Sequence, residues 1–214
     1  MAEAAPACIY VLAGTNGAGK TSIAGAAFNA RGASWFDPDA ASRRIRAADP
    51  ALAPEQADSL AWQQGRRLLE RAIAEGLDFA FETTLGGRTI TGLLEQALDR
   101  GLEVRVWYAG LSSPELHLQR VQRRQARGGH DVDEAAIRRR YDTSRLNLVR
   151  LLPRLTELRV YDNSAEADPA AGQAPEPRLV MHLVGGRIAG PPDLARTPEW
   201  AKPIVAAALG LGGR

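Results

Sequence analysis

Apolar and polar positions alternate in short blocks along the chain, most of them closed by glycine or proline. "CIYVLAG" is an apolar run rich in β-formers that stops at Gly14, the pattern of a buried first strand. "KTSIAGAAFNA" continues as an alanine-rich helix, and "ASWFDPD" reads as a second extended piece ahead of a small helix. In "EQADSLAWQQGRRLLERAIAEG", Leu60, Leu68, Leu69, Ala72 and Ile73 recur at helical spacing and Gly76 supplies the stop. The strand "LDFAFETTL", the helix "TITGLLEQALDRG" and the strand "LEVRVWYAG" follow. Residues 120–148 predict two helices split at Gly128-Gly129, and "ELRVYDNS" is the last clear strand. "RLVMHLVGGRIAG" predicts a hairpin turning at Gly185-Gly186, and the Ala/Gly/Leu-rich tail predicts a loosely held helix.

Strands alternating with helices imply βαβ crossovers, and so an α/β protein with a mostly parallel sheet covered by helices on both faces. The ligand site of such a sheet lies beyond the carboxyl ends of its strands. A chain of 214 residues, 45% apolar and 24% charged, suits one domain spanning 1–214. Within it the arginine-bearing helices, about 114–150, have the character of a lid. The Ala-, Pro- and acid-rich stretch at about 165–178 reads as an exposed loop, with the hairpin and tail in 179–214.

Net charge is +2, yet only Lys20 and Lys202 among the 27 basic residues are lysine. Arginine favours bidentate contact with phosphate or carboxylate, although a GC-rich codon bias explains the excess equally well. With Cys8 alone no internal disulfide can form, and no stretch approaches the ~20 apolar residues of a membrane span. The N-terminus lacks a basic segment ahead of its apolar run. The expectation is a cytoplasmic protein without signal peptide or membrane anchor.

The chemistry is concentrated in "GTNGAGKT", Gly14 to Thr21, which fits the P-loop pattern in full between a strand and a helix. Its glycines let backbone amides turn toward phosphates, Lys20 reaches the transferred phosphate, and the Thr21 hydroxyl is the metal ligand. The expected nucleotide-binding set is Gly14, Asn16, Gly17, Ala18, Gly19, Lys20, Thr21 and Ser22. No Asn-Lys-x-Asp guanine-reading motif is present, so a compact small-molecule kinase ranks ahead of a GTPase switch.

Phosphoryl transfer to a hydroxyl wants a carboxylate near the γ-phosphate. Asp37 and Asp39 in "WFDPD" offer two, and Asp39 reads either as that base or as the N-cap of a helix beginning near Ala40. Glu82, Thr83 and Thr84 emerge at the end of a strand, where they can hold metal-bound water or the acceptor's hydroxyls, or simply face solvent. Arg120, Arg124 and Arg127 share one helical face, and Arg140, Ser144 and Asn147 share another beyond the glycines. Inward arginines on a hinged lid suit the charge that develops on a transferring phosphate. Arg123, Arg138 and Arg145 read as solvated charges, and His130 as a hinge or cap. Acidic residues interrupt the run at Asp131, Asp133, Glu134 and Asp142, which argues against a nucleic-acid surface.

These motifs in this order resemble the zeta toxin group of P-loop kinases, particularly its short chromosomal members. The resemblance rests on "GTNGAGKT", "FDPD", "FETTL", the "RVxxR...GGHDV" and "IRRRYDTSRLNL" segments, and "YDNS", and covers residues 8–164. It implies a three-layer P-loop kinase fold, ATP and Mg²⁺ as cofactors, and transfer to a hydroxyl of UDP-N-acetylglucosamine. It implies Asp39 as general base, Lys20 and Thr21 as phosphate and metal contacts, and Glu82 with Thr83 on the acceptor side, next to Thr84. Arg124 and Arg140, with Arg120, become charge stabilisers, and Asn163 lies near the nucleotide base. An antitoxin on a separate chain is the implied partner. Two departures stand out: Asp133 replaces the proline of "GGHxVP", and "TLGG" replaces "TLSG". A non-enzymatic nucleotide-binding regulator and a kinase for another small metabolite are the competing readings.

Overall fold

The computed structural model describes residues 5–27, 35–126, 132–165 and 176–212, with side chains of 24–27 left undescribed. β1 (Cys8–Ala13) is flanked by β2 (Phe79–Thr83) on one side and β3 (Glu103–Gly110) on the other, and β4 (Glu157–Asp162) follows β3. These four strands are parallel. β5 (Arg178–Val184) and β6 (Arg187–Gly190) extend the sheet antiparallel, forming the hairpin expected at Gly185-Gly186. The order β2-β1-β3-β4-β5-β6 reverses direction around β1, so the rim above β1 is where a ligand crevice opens.

The alternation of strand side chains sorts the helices into layers. Ile9, Val11 and Ala13 face the main core with Val104, Val106, Leu158 and Val160. Packed onto that face are α3 (Pro54–Glu75), α4 (Arg88–Asp99), α6 (Glu134–Leu151) and α7 (Lys202–Leu209). The opposite face carries a smaller cluster in which Leu12, Trp107 and Ala109 meet Ile23 of α1 (Lys20–Ala27). Toward the amino-terminal ends of β3 and β4 the same face turns polar, where Arg105, Arg159 and His182 all bond the Glu157 carboxylate. Among the described residues the two faces are therefore covered unequally. α2 (Pro38–Ala48) packs on α3, and α5 (Pro114–Gln125) lies against the P-loop.

The second extended piece is present but short: within "ASWFDPD", of which residues 35–39 are described, Phe36 makes a single parallel bridge with Phe81, donating to Ala80 O at 2.8 Å and accepting from Glu82 N at 2.9 Å. Pro38, suited to a helix's first turn but to no strand interior, starts α2 immediately afterwards. One expectation is corrected: the tail is not loosely held. Trp200, Ala201, Ile204, Val205 and Ala208 are buried in the main core, and Trp200 Nε1 donates to Asp162 Oδ1 at 3.2 Å. Gly128-Gly129 and most of the exposed loop lie outside the described residues.

Trp200 reaches this position because Gly110 has no side chain: a Cβ there would collide with the Trp200 ring. Gly110→Ala is expected to destabilise the protein by about 1–3 kcal/mol through overpacking, measured by urea unfolding. Trp200→Phe in the same background should recover part of the loss by shortening the ring.

Candidate functional site

The turn between β1 and α1 places Lys20 at the first helical residue, with its side chain folded back into the loop. Lys20 Nζ donates to Gly14 O at 2.8 Å and lies 3.4 Å from Glu82 Oε1, and it is buried. Gly17 and Gly19 both hold positive φ, 82° and 76°, which L side chains rarely adopt. Space forbids side chains there too, since a Cβ on Gly17 would press on His117 O at 2.7 Å and one on Gly19 would collide with Asn163. The loop's amides and the amino end of α1 form the anion-binding end of the site.

Three elements brace this loop. Asn163, just past β4, donates to Ala18 O at 2.9 Å. Arg140 of α6 donates to Asn16 Oδ1 at 2.9 Å, and its carbonyl accepts from Thr15 Oγ1 at 3.2 Å. His117 of α5 holds Asn16 O at 2.7 Å through Nδ1, which must carry the proton because a carbonyl only accepts. Burial pushes the His117 imidazole down to about 4, with Lys20, Arg120 and Arg145 acting in the same direction and the Asn16 bond opposing them.

Beyond the loop a cavity of about 430 Å³ is lined by Lys20, Asp39, Glu82, Thr83, Thr84, Arg124 and Arg140. The two acids of "FDPD" have separate tasks. Asp37 caps α2, accepting from Asp39 N at 2.8 Å and Ala40 N at 3.2 Å. Asp39 sits in the first turn with its carboxylate toward the cavity, 3.2 Å from Arg124 Nη1. Of the two, Asp37 and not Asp39 is the helix cap. Burial raises the Glu82 carboxyl above its ordinary range; Lys20 pulls it down, while Asp37 and Asp39 push it further up.

Of the expected arginines, Arg124 and Arg140 meet at this cavity, from α5 and α6 respectively. Arg120 instead donates to Ala165 O at 3.0 Å, outside the cavity wall. Arg127 and His130 lie outside the described residues. Ser144 and Asn147 share the face of Arg140 but turn to the loop after β2. Arg145, expected as a solvated charge, stacks 4.1 Å over Tyr141 and donates to Trp200 O at 3.2 Å, tying α6 to the C-terminal segment. Thr21 and Ser22 are exposed in the first turn of α1. Among the described residues no group of three or more His, Cys, Asp or Glu forms a metal cage.

Sequence reasoning missed His117, which shares a helical face with Val121 and Arg124 at i, i+4 and i+7; that spacing was the available signal. It also missed Trp62 and Arg66 at the cavity mouth. Trp62 is 43% exposed, and the Arg66 guanidinium lies 5.9 Å from its ring centroid.

Unfolded His117 takes a proton near pH 6.5 and the folded residue only near 4, so the unfolded state binds more protons between those values. Its contribution to stability is complete above about 6.5 and is lost, by roughly 3 kcal/mol, as pH falls toward 4. Urea unfolding at several pH values should show this slope in the wild type and a flatter one in His117→Gln; equal slopes would contradict it.

A family model described as an AAA domain matches residues 9–145, more than half of the chain. An uncharacterized protein of Haemophilus influenzae is 31% identical over 129 residues, 60% of this chain and 88% of its own length. Among solved structures, AvrRxo1-ORF1:-ORF2 with ATP superposes at a TM-score of 0.65 with 16% identity over 95% of this chain. This chain spans only 63% of that structure's length. The PezAT chromosomal toxin-antitoxin system of Streptococcus pneumoniae matches at 0.53 and 16%, over 74% of this chain and 68% of the other. These structural likenesses concern the fold, a mostly parallel sheet flanked by helices as in P-loop kinases. By the match over residues 9–145, with its glycine loop and helix-opening lysine in place, the chain belongs to the AAA domain family.

Proposed function

We propose that the protein is an ATP-dependent kinase of zeta toxin type, transferring the γ-phosphate to a hydroxyl of a sugar nucleotide such as UDP-N-acetylglucosamine. The observation that carries this reading is Asp39: capping is done by Asp37, and the Asp39 carboxylate shares one cavity with Lys20, Glu82, Arg124 and Arg140. An ATP complex of the similarly folded AvrRxo1 protein supports the nucleotide.

On this reading the P-loop amides and Lys20 hold the β- and γ-phosphates. Mg²⁺ would be held by the Thr21 hydroxyl and, through water, by Glu82; when bound it neutralises phosphate charge. These are hard oxygen donors, and a magnesium ion that keeps phosphate and water ligands needs no protein cage. The acceptor oxygen attacks the γ-phosphorus as Asp39 takes the hydroxyl proton. The bond to the bridging oxygen breaks and ADP leaves with the electron pair. Arg124 and Arg140 offset the charge that builds on the transferred group, Arg140 from a fixed position on Asn16.

The cavity also speaks to the acceptor. Carboxylates and threonines lie at the P-loop end, Phe36, Phe81 and Ile90 form an apolar wall, and Trp62, Arg66 and Arg139 complete the lining. An acceptor with a hydroxyl, an anionic linker and a planar base matches this combination of groups. An antitoxin chain is the partner the reading implies; the pneumococcal protein of this fold belongs to a toxin-antitoxin system.

A metabolite panel incubated with ATP and read by mass spectrometry tests the proposal. Wild-type protein is expected to add one phosphate to a sugar nucleotide, and Asp39→Asn to lower turnover by about 10²–10⁴-fold while ATP affinity stays unchanged. Intact nucleotide binding without phosphorylation of any acceptor would favour a regulatory nucleotide-binding protein instead.

A further inference from the structure

The segment after β2 is held in an unusual way. It carries Thr83 and Thr84 into the cavity, then Leu85, whose φ of 54° is the left-handed region in a residue with a full side chain. Leu85 is also fully buried. Its amide donates to Thr83 Oγ1 at 3.1 Å, and the Gly86 amide to Thr84 Oγ1 at 3.4 Å. Both threonine hydroxyls therefore accept from their own loop and keep an O–H for donation to a bound group.

The four carbonyls of residues 83–86 all have partners from elsewhere. Thr83 O accepts from Gly14 N of the P-loop at 3.2 Å. Thr84 O accepts from Ser144 Oγ at 2.7 Å, Leu85 O from Asn147 Nδ2 at 2.8 Å, and Gly86 O from Thr143 Oγ1 at 3.1 Å. Ser144 in turn accepts from Tyr108 OH at 3.0 Å, which anchors it to β3. Thr143 also contacts Arg139 O at 3.0 Å, leaving its hydroxyl shared between two carbonyls. Arg140 lies on the same helical face: a Cβ on Gly86 would come within 2.8 Å of its Cγ, and its carbonyl is tied to Thr15.

One helix thus holds the acceptor loop by three side chains while its Arg140 reaches the P-loop. α6 is packed on the body through buried Ile137, Ser144, Leu148 and Leu151, so it spans from the P-loop to the loop after β2 as one anchored element. We infer that Thr143, Ser144 and Asn147 are positioning residues that set the register of Thr83 and Thr84, and so of the acceptor hydroxyl, against the phosphate held by the P-loop and Arg140. None of the three touches the reacting atoms; each acts through a backbone carbonyl. The inference rests on the kinase reading for its kinetic consequence but not for its structural one.

Two variants remove the bonds with little change of shape, Thr143→Val and Asn147→Leu, and Thr143→Ser restores the hydroxyl. Amide hydrogen exchange, with no acceptor present, is expected to quicken about tenfold or more at Leu85 and Gly86 in both, with P-loop amides unchanged. With UDP-N-acetylglucosamine as the acceptor, KM for the acceptor should rise about tenfold and kcat fall, while KM for ATP stays within about twofold. Thr143→Ser should behave as wild type. A merely structural role would lower the melting temperature and leave the two KM values unmoved or moved together, and that result overturns the inference. Unchanged loop exchange overturns it whatever the acceptor proves to be. A wild-type protein that phosphorylates nothing sinks the kinase reading separately, since the exchange measurement still decides whether the helix sets the loop.

Discussion

A phosphate-binding loop of glycines is an unstable thing to hold still, and the architecture answers that constraint. Backbone at positive φ costs conformational entropy to fix and contributes no side-chain packing of its own. The loop is consequently pinned from outside, by Asn163 after β4, by His117 on α5 and by Arg140 and Thr15 between α6 and the loop itself. Parallel pairing of β1 to β4 gives these supports a common origin, because it brings the carboxyl ends of these four strands to one rim. The neutral His117 belongs to the same logic. A charged imidazole would donate the same Nδ1–H to Asn16, but burial together with the nearby Lys20, Arg120 and Arg145 cations disfavours it.

Electrostatics at the site divide along the same axis. Lys20 and Glu82 form a buried pair whose partners shift it in opposite senses: burial favours the neutral acid, the ammonium favours the anion. Asp39 faces Arg124 at a partly exposed position, where the pairing is weak in water and easily exchanged for another partner. On the proposed kinase reading, an arginine that can leave a carboxylate for a phosphate suits a group that must engage a transient charge. Arg140, half-buried and bonded to Asn16, suits the standing part of the same task.

Strand order aside, the sequence revealed the alternating elements, the P-loop and the convergence of Glu82, Thr83 and Thr84, because each is written in local patterns of apolar residues, glycines and strand ends. It left Asp37 and Asp39 unresolved, although Pro38 marks the first helical residue and so points to Asp37 as the cap. Helical spacing showed that Arg140, Ser144 and Asn147 share a face but not that two of them meet backbone carbonyls, since spacing says nothing about what lies opposite. The same limit hid Arg145, whose charge is neighboured by Tyr141 and Trp200. The tail misled by composition: alanine and glycine suggested looseness, while Trp200, Ile204, Val205 and Ala208 were spaced to bury one side of a helix.

Leu85 shows how tightly site and fold can be joined at one position. Its left-handed backbone costs on the order of 1–2 kcal/mol, a strain glycine would relieve. Its side chain, wholly enclosed in the main core, is worth more than that, since deleting a buried leucine side chain costs about 2–5 kcal/mol. Packing therefore keeps a residue that local geometry alone would reject. Evolution can reshape the surface of the cavity through the exposed residues at its mouth, but the bend that starts the loop is inherited with the hydrophobic core, and the two can change only together.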